Sequence, residues 1–466
     1  MKNANWFSLL LVLTAPLLSV IDVFIINVAI PAIRKGIHAS EAQLQLVIAL
    51  YLLAYACLLV TGGRSGDYLG RKKVFLAGML GFSLASALCG LAHSPLFLNA
   101  ARFLQGIAAA FMVPQTIAFI QVLFPNATER TKAIGWYGIT LGLASMLGQF
   151  LGGLLTSFHF WIDGWRLIFF INVPIGLAAV GLGLRYLPET RPEANQSFDL
   201  TGVILLTGAL VCFIVPLIQG RELGWPAWCM VLLALSVGSF VTFYRHQQLK
   251  KRRKKQPLID MDLFLIPDFT RGIGAVICCF IMHSAFLLMS ALLFQNGYGL
   301  SPLVSGGCFV LWGGCMLLCS LWSMKLVSRN GKQTVLAGVI LMAVSTVLQL
   351  VFFTGSAPSL LVIGLVLLIH GAGAGFTYST LLNVTLRSVP TPFAGASAGI
   401  YSTAQQAAGA FGIASIGGLF FSVLAKSNYQ TAFLYGSGAN LLILVVMALL
   451  VTTLPVSKVA SVTVGD

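Results

Sequence analysis

Apolar runs fill most of the chain and break only at Pro, Gly and short charged clusters. They fall near residues 6–30, 43–62, 74–92, 97–121, 133–157, 166–187, 199–219, 226–244, 270–295, 303–326, 333–354, 358–382, 396–424 and 430–453. Each is close to or beyond the roughly 20 residues that an α-helix needs to cross a bilayer. The pattern predicts fourteen transmembrane helices joined by short loops, an all-α polytopic membrane protein. Fourteen spans occupy about 280 positions, which leaves no room for a separate soluble catalytic domain.

Composition agrees. Of 466 residues, 28 are Lys or Arg and 13 are Asp or Glu, so charged residues make up 9% against 58% apolar. Mean hydropathy is +0.92. A soluble domain carries about 25% charged residues, so disorder and an ordinary soluble fold are both excluded. The net charge of +15 does not point to nucleic acid, because the basic residues sit in short loops between apolar runs. With the N-terminus inside, the predicted cytoplasmic loops gather Arg64, Arg71, Lys72, Lys73, Arg130, Lys132, Arg185, Arg191, the run from Lys250 to Lys255, Lys325, Arg329, Lys332 and Arg387. The opposite loops hold Arg34, Lys35, Arg166, Arg221 and Lys426. That bias places both termini in the cytoplasm. Anchoring and attraction to anionic lipid headgroups account for the run from Lys250 to Lys255.

The nine cysteines all lie in apolar stretches without metal-ligand spacing, which fits small core side chains. The apolar stretch from Trp6 is interrupted by Asp22 and lacks a small-residue cleavage site, so it reads as a retained first helix. The Asn-X-Ser/Thr matches at Asn126, Asn195 and Asn383 fall in or beside predicted inside loops and read as chance.

One pattern occurs twice. After the second span comes Gly66-Asp67-Tyr68-Leu69-Gly70-Arg71-Lys72-Lys73 and then Leu76-Ala77-Gly78; after the tenth comes Val327-Ser328-Arg329-Asn330-Gly331-Lys332 and then Leu336-Ala337-Gly338. Matching basic turns eight spans apart imply two six-helix bundles separated by two additional helices. The boundaries expected are 1–190, 191–256 with its basic loop, and 257–466. Such repeats mark secondary transporters with a site between the halves.

A charge within the bilayer is costly enough to need a reason. Asp22 is the only carboxylate clearly inside a predicted span, about 13 Å below the outer end if helix 1 stops near Pro31. Arg102, about one turn into the fourth span, falls in the same half of the membrane. If helices 1 and 4 adjoin, the two side chains pair, and a carboxylate that alternates between paired and unpaired states can load and release a proton. A permanent salt bridge fixing helix packing is the other reading. The turn at Gly63, Gly66, Asp67, Gly70 and Arg71 combines glycines for a tight bend with a capping carboxylate and a fork-shaped guanidinium. It can gate conformation, or Asp67 can be a plain helix cap. Gln115, Gln149, Asn172, Tyr378, Tyr401, Gln405 and Gln406 are candidates to line a cavity, or to make ordinary interhelical hydrogen bonds. His283 and His370 lie within the ninth and twelfth spans, as packing or cavity groups, and a minority of the 32 phenylalanines would form an adaptable apolar pocket.

These residues carry a resemblance. The turn just described is similar to the signature between helices 2 and 3 of the major facilitator superfamily. Ile21-Asp22-Val23-Phe24-Ile25-Ile26-Asn27-Val28-Ala29-Ile30-Pro31 resembles the helix-1 motif of its fourteen-helix drug:proton antiporter branch, with Phe24 where Thr is usual. Arg102-Phe103-Leu104-Gln105-Gly106 is similar to a helix-4 motif implicated in proton transfer. Two longer stretches, from Trp165 to Gly176 and from Pro257 to Phe264, also resemble that branch. One departure stands out: the helix-5 motif would read Gly-Pro before its Gly-Gly pair, and here Gly148-Gln149 precedes Gly152-Gly153.

The resemblance implies a proton-coupled exporter of lipophilic small molecules that works by alternating access, with protons and lipids as its other partners. It implies a monomer in a bacterial cytoplasmic membrane, with no cofactor, metal, nucleic acid or enzymatic activity. A dedicated exporter or proton symporter for one metabolite is the alternative, and a membrane sensor on the same scaffold is a second.

Overall fold

Several helices begin where a short polar side chain can take up the free N–H groups of the first turn. In the computed structural model, Ser40 Oγ accepts from Gln43 N at 3.3 Å while Gln43 Oε1 accepts from Ser40 N at 2.9 Å. Ser94, Ser301, Ser359 and Asn428 cap helices too. Proline follows Ser94 and Ser301 at the first helical position, where its missing N–H costs nothing. The structure describes residues 2–158, 162–189, 199–253, 257–389 and 394–454. Arg191, Asn195, Lys254 and Lys255 lie outside them, as do the side chains of Asp67, Arg221, Lys325 and Arg329.

Among the described residues, fourteen helical segments are long and apolar enough to cross a membrane. They are α1 (Asn5–Ile37), α2 (Glu41–Gly66), α3 (Arg71–Gly90), α4 (Pro95–Leu123), α5 (Lys132–Ser157), α6 (Gly164–Tyr186) and α7 (Leu200–Gly220). The others are α8 (Ala227–Arg252), α9 (Pro267–Gly297), α10 (Pro302–Ser323), α11 (Gly331–Phe352), α12 (Leu360–Leu386), α13 (Ser397–Leu424) and α14 (Tyr429–Thr452). Every span expected from the apolar runs has its counterpart.

Several boundaries differ from expectation. Pro31 does not end α1, which runs on to Ile37; neighbouring helices re-satisfy the backbone around a transmembrane proline. Asp22 is therefore roughly 22 Å below that helix end, at 1.5 Å per residue, rather than near it. Arg102 is two turns into α4, which starts at Pro95. The supposed loop from Gly63 is helical as far as Leu69, and the chain breaks only at Gly70, whose φ of 90° suits a residue without Cβ.

The residues from Pro302 to Phe352 are all helical, yet this stretch holds two spans of opposite direction. Gly371 and Gly375 of α12 rest on the backbone at Trp312 and Met316 of α10, in rising order. Against α11 the order falls: Gly373 meets Gly338, and Ser345 Oγ donates to Val366 O at 2.8 Å. The chain therefore reverses between α10 and α11.

The repeated Leu-Ala-Gly has a repeated role. A Cβ on Gly78 would fall 2.8 Å from Met112 N of α4, and one on Gly338 would fall 2.6 Å from Gly373 O of α12. In both places the glycine lets a helix lie against the next one in the chain.

Several seams join the first six spans to the last six. On α5 and α10, a Cβ on Gly153 would fall 2.4 Å from Pro302 O, and one on Gly306 would fall 2.8 Å from Gln149 O. Between α2 and α13, Thr403 Oγ1 donates to Ala56 O at 3.2 Å. Between α1 and α9, Gln295 Nε2 donates to Val28 O at 2.7 Å. Gln295 belongs to a π-helical turn, Leu293–Gly297, which rotates it out of the α-helical register.

The two additional helices pack on one flank. α7 lies along α2 and touches α13, with Phe213 stacked on Phe411 at 5.5 Å between ring centroids. α8 packs on α7 and presents Met230, Val231, Leu235 and Val237 outward, an apolar face suited to lipid.

Candidate functional site

Asp22 and Arg102 are both 0% exposed and in contact through Asp22 Oδ2 and Arg102 Nη1. Arg102 lies on α4 so that its Nε donates to Val47 O of α2 at 3.0 Å, and its guanidinium covers the Tyr51 ring at 4.4 Å. Tyr51 is one turn beyond Val47, so one face of α2 supplies both contacts. Gln105, one turn after Arg102, accepts from Arg102 Nη1 at 2.8 Å and donates through Nε2 to Asp22 Oδ1 at 2.8 Å. Asn172 Nδ2 donates to Asp22 Oδ1 at 3.2 Å and to Ser86 Oγ at 3.0 Å. Five helices, α1, α2, α3, α4 and α6, thus converge on one carboxylate.

The charge on Asp22 is matched by one guanidinium and two amide donors, which is what a buried carboxylate requires. Taking away one member of such a pair leaves an uncompensated charge and costs about 3–5 kcal/mol. The ion pair was legible in the sequence. The spacing of Gln105 from Arg102 sets it on the same face of α4. Tyr51 and Ser86 carried no signal beyond their residue type.

Two residues expected to line a cavity are engaged elsewhere. Asn172 belongs to the Asp22 node, reached because the backbone of α6 turns at Ile171. Gln115 Nε2 donates to Gly62 O at 2.7 Å, and a Cβ on Gly66 would fall 2.1 Å from Gln115 Oε1, so this amide holds α4 to α2.

His283 and Tyr378 stand together where α1 meets the last six spans. The His283 ring lies 5.1 Å from Tyr378, 5.6 Å from Trp312 in a stacked arrangement, 5.9 Å from Phe24 and 6.0 Å from Phe280. His283 Nδ1, Tyr378 Oη and Trp312 Nε1 are buried and have no hydrogen-bond partner. Gln149, 0% exposed on α5, has neither amide atom partnered. Its neighbour Gly148 brings α5 against α1, since a Cβ there would fall 2.8 Å from Phe24 Cβ. An unmet buried polar group costs about 1–3 kcal/mol, so this concentration of them between helices is a chemical feature in its own right. His370 stacks on Phe286 at 4.0 Å, deeper in the last six spans. Tyr401 is buried on α13, and Gln405 is half-buried one turn further on.

Near the end of α2, a Cβ on Gly63 would lie in ordinary contact with Pro114 of α4, at 3.5 Å. Arg71 Nη1 donates to Ala118 O of α4 at 3.0 Å. Lys72 Nζ reaches Leu184 O at 2.9 Å and Glu189 at 3.2 Å. The break is thus tied to both α4 and the end of α6.

Asp22 is not the only acid buried at a helix. Asp268, expected outside the ninth span, lies in the first turn of α9 at 5% exposure, because the helix starts at Pro267. It accepts from Arg387 Nε at 3.1 Å and from Ser388 Oγ. Asp199, 3% exposed before α7, is within 2.9 Å of His246 Nε2 and accepts from Gln247 Nε2 at 2.9 Å, Gly202 N at 3.0 Å, Lys250 Nζ at 3.0 Å and Leu258 N at 3.2 Å. Burial works to raise its pKa, but the bonds from His246, Gln247, Gly202 and Lys250 outweigh it and hold the carboxyl well below the usual range. Lys251 pairs with Asp260 at 2.9 Å and also with Asp262. Lys250 and Lys251 of the basic run therefore have acidic partners within the chain, beyond the lipid attraction expected of them.

Among the described residues, no group of three or more His, Cys, Asp or Glu side chains could hold a metal. Fourteen apolar helices around a buried ion pair, with glycine-lined seams between the first and last six, define a polytopic helical membrane protein of the transporter class. Residues 12–413 match the family model of the Major Facilitator Superfamily, and the chain belongs to that family. It is 34% identical over 425 residues to the "Probable actinorhodin transporter" of Streptomyces coelicolor, covering 91% of this chain and 73% of that one. It is 32% identical to the "Tetracenomycin C resistance and export protein" of Streptomyces glaucescens, covering 91% and 77%. The fold superposes on a D-xylose-proton symporter with a TM-score of 0.68 at 16% identity, over 96% of this chain and 97% of the other.

Proposed function

We propose that the protein exports lipophilic small molecules by alternating access, driven by protons moving inward through Asp22. The observation that carries this reading is the buried Asp22–Arg102 pair, a carboxylate deep in the membrane whose charge state decides which contacts α1 can make. With Asp22 charged, Arg102, Gln105 and Asn172 hold α1 against α4 and α6. A proton on Asp22 cancels the attraction of the guanidinium, which keeps Val47 O, Gln105 and the Tyr51 ring as partners. α1 is then free to shift, and residues 1–190 rock against 257–466 around the seams. Residues 191–256 form the two additional helices with their basic loop. Relatives that carry names of antibiotic transport and export support the outward direction and the substrate class. The protein acts as a monomer in a bacterial cytoplasmic membrane, both termini in the cytoplasm, and the turn at Gly70 and Arg71 biases the two states.

The test is reconstitution into proteoliposomes with a lipophilic dye, with and without an imposed pH gradient. Uphill dye movement that follows the gradient and collapses with an uncoupler is the expected result. Dye movement indifferent to the gradient would remove the proton from the mechanism.

A further inference from the structure

The junction of α1, α9, α10 and α12, with α5 beside it, is not generic apolar packing. Phe24, Phe280, His283, Trp312 and Tyr378 bring five rings together, with neighbouring centroids 5.1–6.0 Å apart. Had packing alone shaped this cluster, phenylalanine and leucine would serve at every position. Instead three of the five rings carry a polar atom, and His283 Nδ1, Tyr378 Oη and Trp312 Nε1 are all buried without a partner. Gln149, across the seam on α5, adds an unpartnered carbonyl and an unpartnered amide. Buried polar atoms without partners occur elsewhere too, at Gln45 and His370 for example, but here three of them share one ring cluster.

Formal charge is kept away from the rings. Asp22 is two residues from Phe24, but its oxygens are taken by Arg102, Gln105 and Asn172. Asp268 is taken by Arg387 and Ser388. A cation entering the ring cluster would meet aromatic faces but no carboxylate.

Resting on the export reading for its biological sense, we infer that this slot selects uncharged planar aromatic compounds that carry hydroxyl or carbonyl groups, phenols and quinones in chemical class. A ligand ring takes over the stacking that His283 and Trp312 now give each other, and its oxygens meet the polar atoms of Tyr378, Trp312, His283 and, across the seam, Gln149. A bare hydrocarbon of the same outline gains the stacking but leaves those polar atoms unmet. Sites built to hydrogen-bond a ligand discriminate strongly against analogues that lack the bonding group.

The experiment is calorimetric titration of the purified full-length protein in detergent with three probes of equal ring count. The probes are a dihydroxyanthraquinone, anthracene and N-methylacridinium. The dihydroxyanthraquinone should bind tightest. Tyr378→Phe, which removes one oxygen and keeps the ring, should weaken it about tenfold and leave anthracene within about twofold, the loss of one hydrogen bond. His283→Phe should act in the same way; should that variant fail to fold, Tyr378→Phe decides alone. Equal effects on both neutral probes, no effect on either, or tighter binding of the cation would overturn the assignment. Titration needs no gradient, so selective binding without proton-driven transport would sink the export reading and keep the slot. Proton-driven transport with unselective binding would do the reverse.

Discussion

Asp22 and Phe24 stand two residues apart on α1 and face opposite sides of it. At about 100° per residue their side chains diverge by roughly 200°, so Asp22 meets Arg102 on α4 while Phe24 lies 5.9 Å from the His283 ring on α9. One helix therefore touches the ion pair on one face and the aromatic cluster on the other. A displacement of α1 that begins at the carboxylate is felt at the rings.

Replacing Asp22 by Asn keeps its size and removes its charge. Uphill transport should be abolished while the protein still inserts and folds. The unpaired Arg102 should lower thermal stability, and a second change, Arg102→Gln, should restore most of that stability without restoring coupling. Dye accumulation in proteoliposomes and thermal unfolding in detergent measure the two effects separately. Retained accumulation in Asp22→Asn would place the proton site elsewhere.

Phe24→Ala leaves the Asp22 node intact and removes the wall that α1 presents to His283 and Trp312. Proton-driven export should fall about tenfold or more at matched protein abundance, given a contact worth about 1.4 kcal/mol, while the melting temperature falls only a few degrees. Initial export rates in everted vesicles at matched protein levels would check this. An unchanged rate would mean that α1 carries nothing to the rings.

At the α2–α3 break, Arg71→Ala removes the bond to Ala118 O without touching the aromatic cluster. Turnover should drop several-fold more than probe affinity does, because a contact outside the binding site shifts the balance of states. Parallel losses in affinity and turnover would contradict a gating role.

Asp199→Asn tests a different node. The folded carboxyl has a depressed pKa, so its stabilisation is fully present above the ordinary carboxylate value of about 3.9 and disappears as pH falls below it. At neutral pH the variant should melt roughly 2–4 °C lower, and the gap should narrow in acid. A gap that stays constant down to the acid limit would assign the loss to packing instead of charge.

The spans were readable because lipid leaves little choice: an apolar run long enough to cross must satisfy its backbone within a helix. The same constraint defeated the local signals. Pro31 and the glycines at Gly63 and Gly66 would end a helix in water, but here the chain stays helical through all three. The repeat was legible down to Gly78 and Gly338, since close backbone approach admits only glycine at those positions. At the site, Asp22 and Arg102 announced themselves as charges in hydrocarbon. Asn172 and Gln115 did not, because an amide can serve a cavity or a helix contact equally well and only the neighbours decide. Asp268 escaped for a simpler reason: three residues of uncertainty at a helix start moved it from the interior of a bundle to its exterior.

The placement of α7 makes the two flanks of the molecule unlike each other. On one side the α2–α13 seam is strapped over by a helix that touches both partners and stacks Phe213 on Phe411. On the other, α5 and α10 meet directly through Gly153 and Gly306. An oily molecule dissolved in the bilayer thus approaches a body with a walled shore and a bare one, and for such a solute the two halves of the surrounding membrane are not equivalent.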